Sequence, residues 1–332
     1  EIAHKSLINV SFYYLKIFDM CYADMHTCMS APKMATRIQI AKPDIVKEFS
    51  ERGPLFRPSE LSSIFEARRD FWRLGKSMTL TAFTRFMLEK TDLKHVRYNF
   101  PNRAVSGFTW GEVPTLEAVL GLVDGSYLSH FTAMRIHGLT EQLPKTVYVS
   151  KEKPEGSSTK IDGDLLDQDE IDEAFKHQPR ISHNEITLPD GQGRLMMLES
   201  TYQAGDGITS GVVNWGGNRP LNLRYTDLER TLIDVVVRPF YAGGVFEVAK
   251  AFENARGELS GNAMLAMLKR MGFSYPYHQA IGYYLDRSGY KSSVVDLYRR
   301  LPMEWDFYLT HGMEKTRYLS RWRLHVPEGF EL

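Results

Sequence analysis

Cysteine and net charge are both scarce in this sequence. Cys21 and Cys28 are its only cysteines in 332 residues, and 41 Lys and Arg side chains balance 41 Asp and Glu side chains. Two cysteines indicate neither the disulfide framework of a small secreted domain nor a zinc ribbon. A formal net charge of zero argues against a protein that coats nucleic acid over its whole surface, so any such binding must come from a local patch.

Long hydrophobic runs, internal repeats and the common catalytic motifs are also missing. The apolar stretch at residues 8–18 is shorter than the roughly 20 residues that span a bilayer. The sequence contains no glycine-rich phosphate loop of the P-loop or dinucleotide-binding type and no Gly-x-Ser-x-Gly elbow. The short apolar stretch predicts a protein that does not enter the membrane, and the two cysteines predict a cytoplasmic one.

The length and composition fit two ordinary globular domains. With 43% hydrophobic and 25% charged residues, a chain of 332 residues can build two hydrophobic cores. The patterns predict an N-terminal extension at 1–36, with disorder as one expectation for it. A first domain at 37–112 and a second at 113–332 are predicted to follow.

The local patch that the charge balance requires is present between Arg68 and Arg103. This stretch holds nine Lys and Arg side chains against three acidic ones, in a chain that is neutral as a whole. Its basic residues alternate with five of the aromatic residues. These are Trp72, Phe83, Phe86, Tyr98 and Phe100. Clustered basic charge of this kind is the electrostatic footprint of a nucleic-acid-binding surface.

The patterns around this stretch predict three helices and two strands. Pro43 suits the first turn of a helix that Gly53 ends, Pro58 opens a second helix, and Thr79 is a predicted N-cap of a third. Two alternating strand patterns then flank a turn at 101–103. This order predicts a winged helix-turn-helix over residues 37–112, which presents one helix and one hairpin to DNA.

Within that unit the third helix separates an apolar from a polar face. Leu80, Phe83 and Met87 fall on one side. Base reading is therefore assigned to Thr81, Thr84 and Arg85 on the other. The remaining predicted DNA contacts, mostly to phosphates, are Arg68, Arg69, Arg73, Lys76, Arg97, Asn102 and Arg103. The alternative is a winged helix that contacts only protein, with its arginines forming a solvated face.

Beyond residue 113 the patterns mix helices and strands, so the predicted fold class is α+β. Ser129 can cap a helix at 130–137, and 144–149 is typical of a strand. Thr226 followed by Glu229 predicts a capping box at the start of a helix. The buried stripe of that helix is predicted to be Leu228, Leu232, Val235 and Val236. The last segment, 318–326, alternates enough to predict a strand.

Two groups in this second part have residue types that bind metals. Asp162 and Asp164 could bind a divalent cation, which would make the chain a metal-dependent nuclease or nucleotidyltransferase. These acids continue into an acidic run to Glu173, and such a run more commonly forms a solvated face. His130 and His137 lie on one predicted helix without a third ligand nearby, so a structural role is expected rather than zinc binding.

Several segments resemble the AbiEi family, the antitoxin and transcriptional-regulator half of abortive-infection (type IV) toxin-antitoxin systems. The resemblance rests on SYLSHFTAMRIHGLTEQLPKTVYV at 126–149 and YTDLERTLIDVVVRPFYAGGVFEV at 225–248. RPSELSSIF, KSMTLTAF and VRYNFPNR are similar to that family's N-terminal winged helix-turn-helix. Together these segments cover about residues 37–300.

The resemblance implies a DNA-binding autorepressor whose C-terminal domain opposes a nucleotidyltransferase-like toxin from the same operon. Operator DNA, that toxin and a second copy on DNA are the partners it implies. It implies no catalytic residue, no cofactor and no metal. A metal-dependent enzyme using Asp162 and Asp164, and a protein-binding antitoxin without DNA affinity, stay open as alternatives.

Overall fold

The computed structural model describes residues 36–157, 166–188, 193–215 and 220–330. Asp162 and Asp164, on which the metal hypothesis depends, lie outside these ranges, as do residues 1–35. The fold is α+β, as predicted. Two compact units can be distinguished: unit 1 holds the residues up to Val96 together with Ser106–Val113, and unit 2 holds Arg97–Val105 together with the residues from Pro114 onwards.

Unit 1 consists of helices packed on a small sheet. Its elements, in chain order, are α1 (Arg37–Arg52), β1 (Leu55–Phe56), α2 (Pro58–Arg68), α3 (Leu80–Lys90), β2 (Leu93–Tyr98) and β3 (Val105–Trp110). The last two residues of β2 and the first residue of β3 fall in unit 2. The sheet order is β1-β3-β2, and β1 is antiparallel to β3. Its identity as a DNA-binding winged helix-turn-helix stays a prediction.

The core of unit 1 is built from aromatic rings. Phe49 lies at its centre, with ring centroids 5.0 Å from Phe56, 5.6 Å from Trp110 and 6.5 Å from Trp72. Trp72 in turn stacks on Phe83, at 5.7 Å. Aromatic pairs at these separations contribute about 0.5–1.5 kcal/mol each beyond the area they bury. This cluster fixes α1 and α3 against each other.

Helix α1 starts earlier than the sequence pattern predicted. Thr36 is the N-cap, and its backbone N–H donates to Gln39 Oε1 at 2.7 Å, as in a capping box. Pro43, the predicted first-turn residue, therefore lies inside the helix. The prediction of a start at Pro43 is wrong because burial of Ile38 and Ala41 extends the apolar face by one and a half turns.

Unit 2 contains the larger sheet and a helical part. Its elements up to residue 226 are α4 (Thr115–Leu122), β4 (Ser126–Leu128), α5 (His130–Ile136), β5 (Thr146–Glu152), α6 (Gln168–Lys176), β6 (Glu185–Thr187), β7 (Arg194–Ser200), β8 (Ile208–Val213) and β9 (Leu221–Thr226). The later ones are α7 (Leu228–Val237), a 3-10 turn (Pro239–Tyr241), α8 (Val245–Asn254), α9 (Gly261–Met271), α10 (Tyr277–Arg287), α11 (Ser292–Arg299), β10 (Phe307–Tyr308), β11 (Thr316–Leu319) and β12 (Leu324–Pro327).

The main sheet has the strand order β6-β7-β5-β4-β9-β8. Parallel pairing joins β5 to β7 and β4 to β9, whereas the other three neighbouring pairs are antiparallel. Within the described part of the chain, β6 and β8 are its two edges. One apolar cluster packs α4 against this sheet through Leu116 and Val119.

The helical part of unit 2 encloses the largest apolar core. Leu232, Val235 and Val236 on α7 are buried, as the sequence pattern predicted. The predicted cap is wrong by one residue, because Asp227 accepts from Arg230 N at 2.8 Å whereas Thr226 ends β9. The predicted strand at 318–326 is instead two strands, β11 and β12, which pair antiparallel.

Candidate nucleic-acid interface

The segment between α2 and α3 is held in place by Arg69. Its guanidinium Nη2 donates to the carbonyl oxygens of Gly75, Lys76 and Met78 at 3.2, 2.6 and 3.2 Å. The same guanidinium lies 5.5 Å above the Phe65 ring. Arg69 was a predicted phosphate contact, but here its donors serve the turn that leads into α3.

Helix α3 presents the two faces that its sequence predicted. The Thr79 hydroxyl accepts from Ala82 N at 3.2 Å, which caps the helix as predicted. Phe83 and Met87 are fully buried. Thr81 and Thr84 are half-buried and Arg85 is exposed, on the side that is turned away from the core. Since residues three and four apart share a helix face, these three side chains form one polar surface.

Arg68, at the end of α2, has a carboxylate partner. Its Nη2 lies 3.1 Å from a carboxylate oxygen of Glu48, which also accepts from Arg52 Nε at 2.7 Å. Burial raises the pKa of Glu48, but the hydrogen bonds from these two arginines prevail and leave it lowered. Arg68 is half-exposed and could still reach a phosphate, although part of its charge is already balanced.

Arg73 and Lys76 are the exposed cations of the turn. Both side chains are solvent-exposed, and neither makes an ion pair within the described residues. Arg73 adopts a left-handed backbone conformation, with φ of +51°. A non-glycine residue seldom occupies this region, which makes the turn geometry specific. These two residues satisfy the requirement that a phosphate contact be accessible.

The aromatic residues that alternate with the basic ones are mostly part of the core. Trp72, Phe83 and Phe100 are at most 5% exposed, so these three rings do not belong to the basic surface. Sequence reasoning missed Phe71, which is 66% exposed and carries Arg68 5.7 Å above its ring. Hydrophobic periodicity could not separate Phe71 from Trp72, because neighbouring residues in a turn have no fixed burial pattern.

The tip of the predicted wing belongs to unit 2. Phe100 packs into the apolar cluster that contains Leu116 and Val119. The backbone N–H of Asn102 donates to Asn184 Oδ1 at 3.2 Å. Arg97 and Arg103 are exposed, and Arg97 Nε donates to Asn99 Oδ1 at 2.9 Å. Arg97, Asn102 and Arg103 thus belong to unit 2, whereas the predicted contacts on α2 and α3 belong to unit 1.

His130 at the start of α5 and His137 just after its end have structural partners. His130 Nδ1 lies 2.8 Å from Ser129 Oγ, and burial lowers the pKa of His130 to about 4 despite nearby Asp234. His137 Nε2 lies 2.7 Å from the Thr226 carbonyl oxygen. Across the described residues, no group of three His, Cys, Asp or Glu side chains is arranged to hold a metal ion.

Unit 2 also contains a buried ionic network that the sequence did not reveal. Arg230 is 1% exposed, and its Nε donates to Asp234 Oδ1 at 2.9 Å. Its Nη1 donates to the Asp206 carbonyl oxygen at 2.6 Å and lies 3.8 Å from Glu152. Glu152 accepts from the backbone N–H of Gln203 and Gly205. This network stabilises the loop that precedes β8.

Comparison with known proteins gives a fold-level likeness that carries no functional argument. No family model matches the sequence, and neither does any curated protein. The crystal structure of the RV2827C protein from Mycobacterium tuberculosis is similar, with a TM-score of 0.49 and 14% identity, over 90% of this chain and 95% of that one. Among the described helices, none is both long and apolar enough to cross a membrane.

Proposed function

We propose that this chain is a cytoplasmic, DNA-binding transcriptional autorepressor and the antitoxin of a two-gene system. The observation that supports it best is helix α3, whose inner face is fixed by Phe83 and Met87 while Thr81, Thr84 and Arg85 face outward. A helix that is held rigidly on one side and polar on the other meets the physical requirements for reading the major groove.

The charges around α3 supply the affinity that such a helix needs. Arg73 and Lys76 precede its first turn, where exposed cations would meet the phosphates on either side of the groove. Each neutralised phosphate makes binding more salt-dependent and contributes equally on any sequence. Arg85 can pair with both acceptors of a guanine, so it would carry sequence preference. Arg69 is left out of this set, since its donors are used by the turn.

Fluorescence anisotropy with labelled DNA tests the proposal. The probes are the duplex upstream of the chain's own gene and a scrambled duplex of the same composition, across a salt series. We expect tight binding to the upstream duplex alone, which weakens as salt rises. Equal or absent binding to the two duplexes would contradict a sequence-reading role and favour a winged helix that contacts only protein.

Two matched substitutions separate base reading from general attraction. Arg85→Ala should weaken binding to the upstream duplex by about 1–3 kcal/mol and bring the two duplexes closer together in affinity. Lys47→Ala removes the same charge from the exposed side of α1 and should leave that preference unchanged. If Arg85→Ala weakens both duplexes equally, Arg85 contacts only phosphate.

The antitoxin part of the proposal rests on the resemblance of 126–149 and 225–248 to the AbiEi family, and on unit 2 as a separate compact unit. Its partner would be a nucleotidyltransferase-like toxin from the same operon, and a second copy could join on DNA. Co-expression with the neighbouring gene gives the test. Growth should recover only when this chain is present, and recovery should survive Arg85→Ala. A recovery that depends on Arg85 would mean that repression alone accounts for it.

A further inference from the structure

Strand β8 is an edge of the main sheet that lacks the usual protection. Its sequence, ITSGVV, contains no charge and no proline. Within the described residues it pairs only with β9. Natural edge strands are commonly blunted by charged residues, by proline, by bulges or by a short length. An uncharged edge of six residues is therefore available for pairing with another strand.

The register identifies the backbone groups that point away from β9. Asp227 N donates to the Gly207 carbonyl oxygen at 2.8 Å, and Gly207 thus belongs to a hydrogen-bonded pair. Antiparallel strands alternate between bonded and non-bonded pairs, so Gly211 also faces β9. Ser210 and Val212 therefore direct their N–H and C=O groups outward. Val212 is 75% exposed, which agrees with an uncovered edge.

A cationic cavity adjoins the end of this strand. It has a volume of about 280 Å³ and is lined by β8, by the Tyr225 ring on β9 and by Arg135 on α5. The Arg135 guanidinium lies 4.7 Å above the Trp215 ring. None of the lining residues is acidic, and no described carboxylate pairs with Arg135. The cavity is thus positively charged and lacks a counter-ion of its own.

The Tyr225 ring forms the wall of the cavity that lies beside Gly211 of β8. Tyr225 pairs with Thr209, and its ring extends diagonally over Gly211, where an added Cβ would meet the Tyr225 hydroxyl at 2.7 Å. Glycine at 211 therefore leaves room for the ring that forms one wall. A strand added beside β8 would place every second side chain on this face of the sheet. One of those side chains would then point towards Arg135.

We infer that β8 and this cavity form a docking site for an extended segment of a partner protein that carries an Asp or Glu side chain. Backbone hydrogen bonds to Ser210 and Val212 would provide affinity. The carboxylate would pair with Arg135 and supply the missing counter-charge. Strand addition of this kind separates affinity, which comes from the backbone, from specificity, which comes from a side-chain pocket. The site lies wholly in unit 2 and is independent of DNA binding.

Labelled peptides that alternate threonine and valine around a central residue test this inference on the full chain. The central residue is glutamate in the first peptide, glutamine in the second and lysine in the third. Anisotropy should show that the glutamate peptide binds about tenfold more tightly than the lysine peptide. Arg135→Met should abolish that preference while leaving the weaker, charge-independent binding.

Val212→Pro removes an outward N–H at an edge position where proline is tolerated, so it should abolish binding of all three peptides. Val212→Ala keeps the N–H and should bind them normally. If circular dichroism shows that Val212→Pro fails to fold, a glutamate peptide methylated on alternate backbone nitrogens replaces it and should not bind. Absence of peptide binding, or a charge preference that survives Arg135→Met, would overturn the inference. So would a wild-type dimer that Val212→Pro makes monomeric, which would identify a second copy as the occupant.

Discussion

Replacing Arg69 by methionine should destabilise unit 1 without removing a DNA contact. Methionine keeps much of the side-chain volume but loses the donors to Gly75, Lys76 and Met78. Hydrogen bonds from a charged group contribute about 1.5–3 kcal/mol each. The bond to Lys76 is exposed to water, and all three bonds come from the one amino group Nη2. We therefore expect the free energy of unfolding to fall by about 2–4 kcal/mol.

Urea unfolding, followed by tryptophan fluorescence and circular dichroism, measures this loss. Trp72 and Trp110 report on unit 1, where both pack in the aromatic core. Lys76→Ala is the control, because an exposed side chain that has no partner among the described residues should change stability by less than about 0.5 kcal/mol. Arg69→Lys should behave like Arg69→Met, since the lysine nitrogen ends one bond short of the Nη2 position from which all three bonds are donated.

One outcome would return Arg69 to the set of DNA-contacting residues. In that outcome Arg69→Met is as stable as the wild type, but its DNA affinity is reduced as much as that of Arg73→Ala. It would mean that the three carbonyl bonds contribute little and that the guanidinium leaves them to bind phosphate. Binding must be compared at a temperature where both variants are folded, so that lost structure is not mistaken for lost contact.

Three further predictions concern unit 2. Arg230→Met should lower the free energy of unfolding by about 3–5 kcal/mol in a urea titration, because Asp234 and Glu152 would lose their buried counter-charge; an unchanged midpoint would contradict this. The folded-state pKa of His130, about 4, lies below its ordinary 6.5, so stability should be full above about pH 6.5 and fall towards pH 4, by at most about 3 kcal/mol. His130→Asn, which tolerates φ of +50°, should remove that dependence; a persisting slope would assign it elsewhere. Gly282→Ala should lower the thermal midpoint, since its Cβ would clash with the Trp322 ring, whereas a midpoint within about 1 °C of wild type would show that Trp322 can move.

The parts of the fold that the sequence predicted well are those where local signals and burial agree. In α3 the Thr79 cap agrees with apolar residues at helical spacing. The stripe on α7 has the same spacing, although its cap lies one residue later than predicted. Where two signals compete, the prediction failed. Pro43 is a strong starting signal, but the apolar face that begins at Ile38 outweighs it, and α1 continues through the proline.

The candidate site was only partly predictable, for a different reason. Charge and spacing identify which side chains are basic, but they do not show which carbonyl or carboxylate lies within reach. Arg68 and Arg69 are neighbours in sequence, yet one pairs with Glu48 and the other with the turn at 75–78. Arg73 and Lys76 have no such partner in the described chain. Only tertiary packing distinguishes these outcomes.

The wing illustrates the same limit at the level of a whole segment. The alternation of Val96, Tyr98 and Phe100 predicts a strand equally well whether its apolar side faces unit 1 or unit 2. Phe100 is 5% exposed and lies in the cluster of Leu116, which makes residues 97–105 part of unit 2. Arg97 and Arg103 thus project from a backbone that unit 2 holds. A DNA contact by these two arginines would depend on the folding of unit 2, whereas contacts by Arg73 and Arg85 would not.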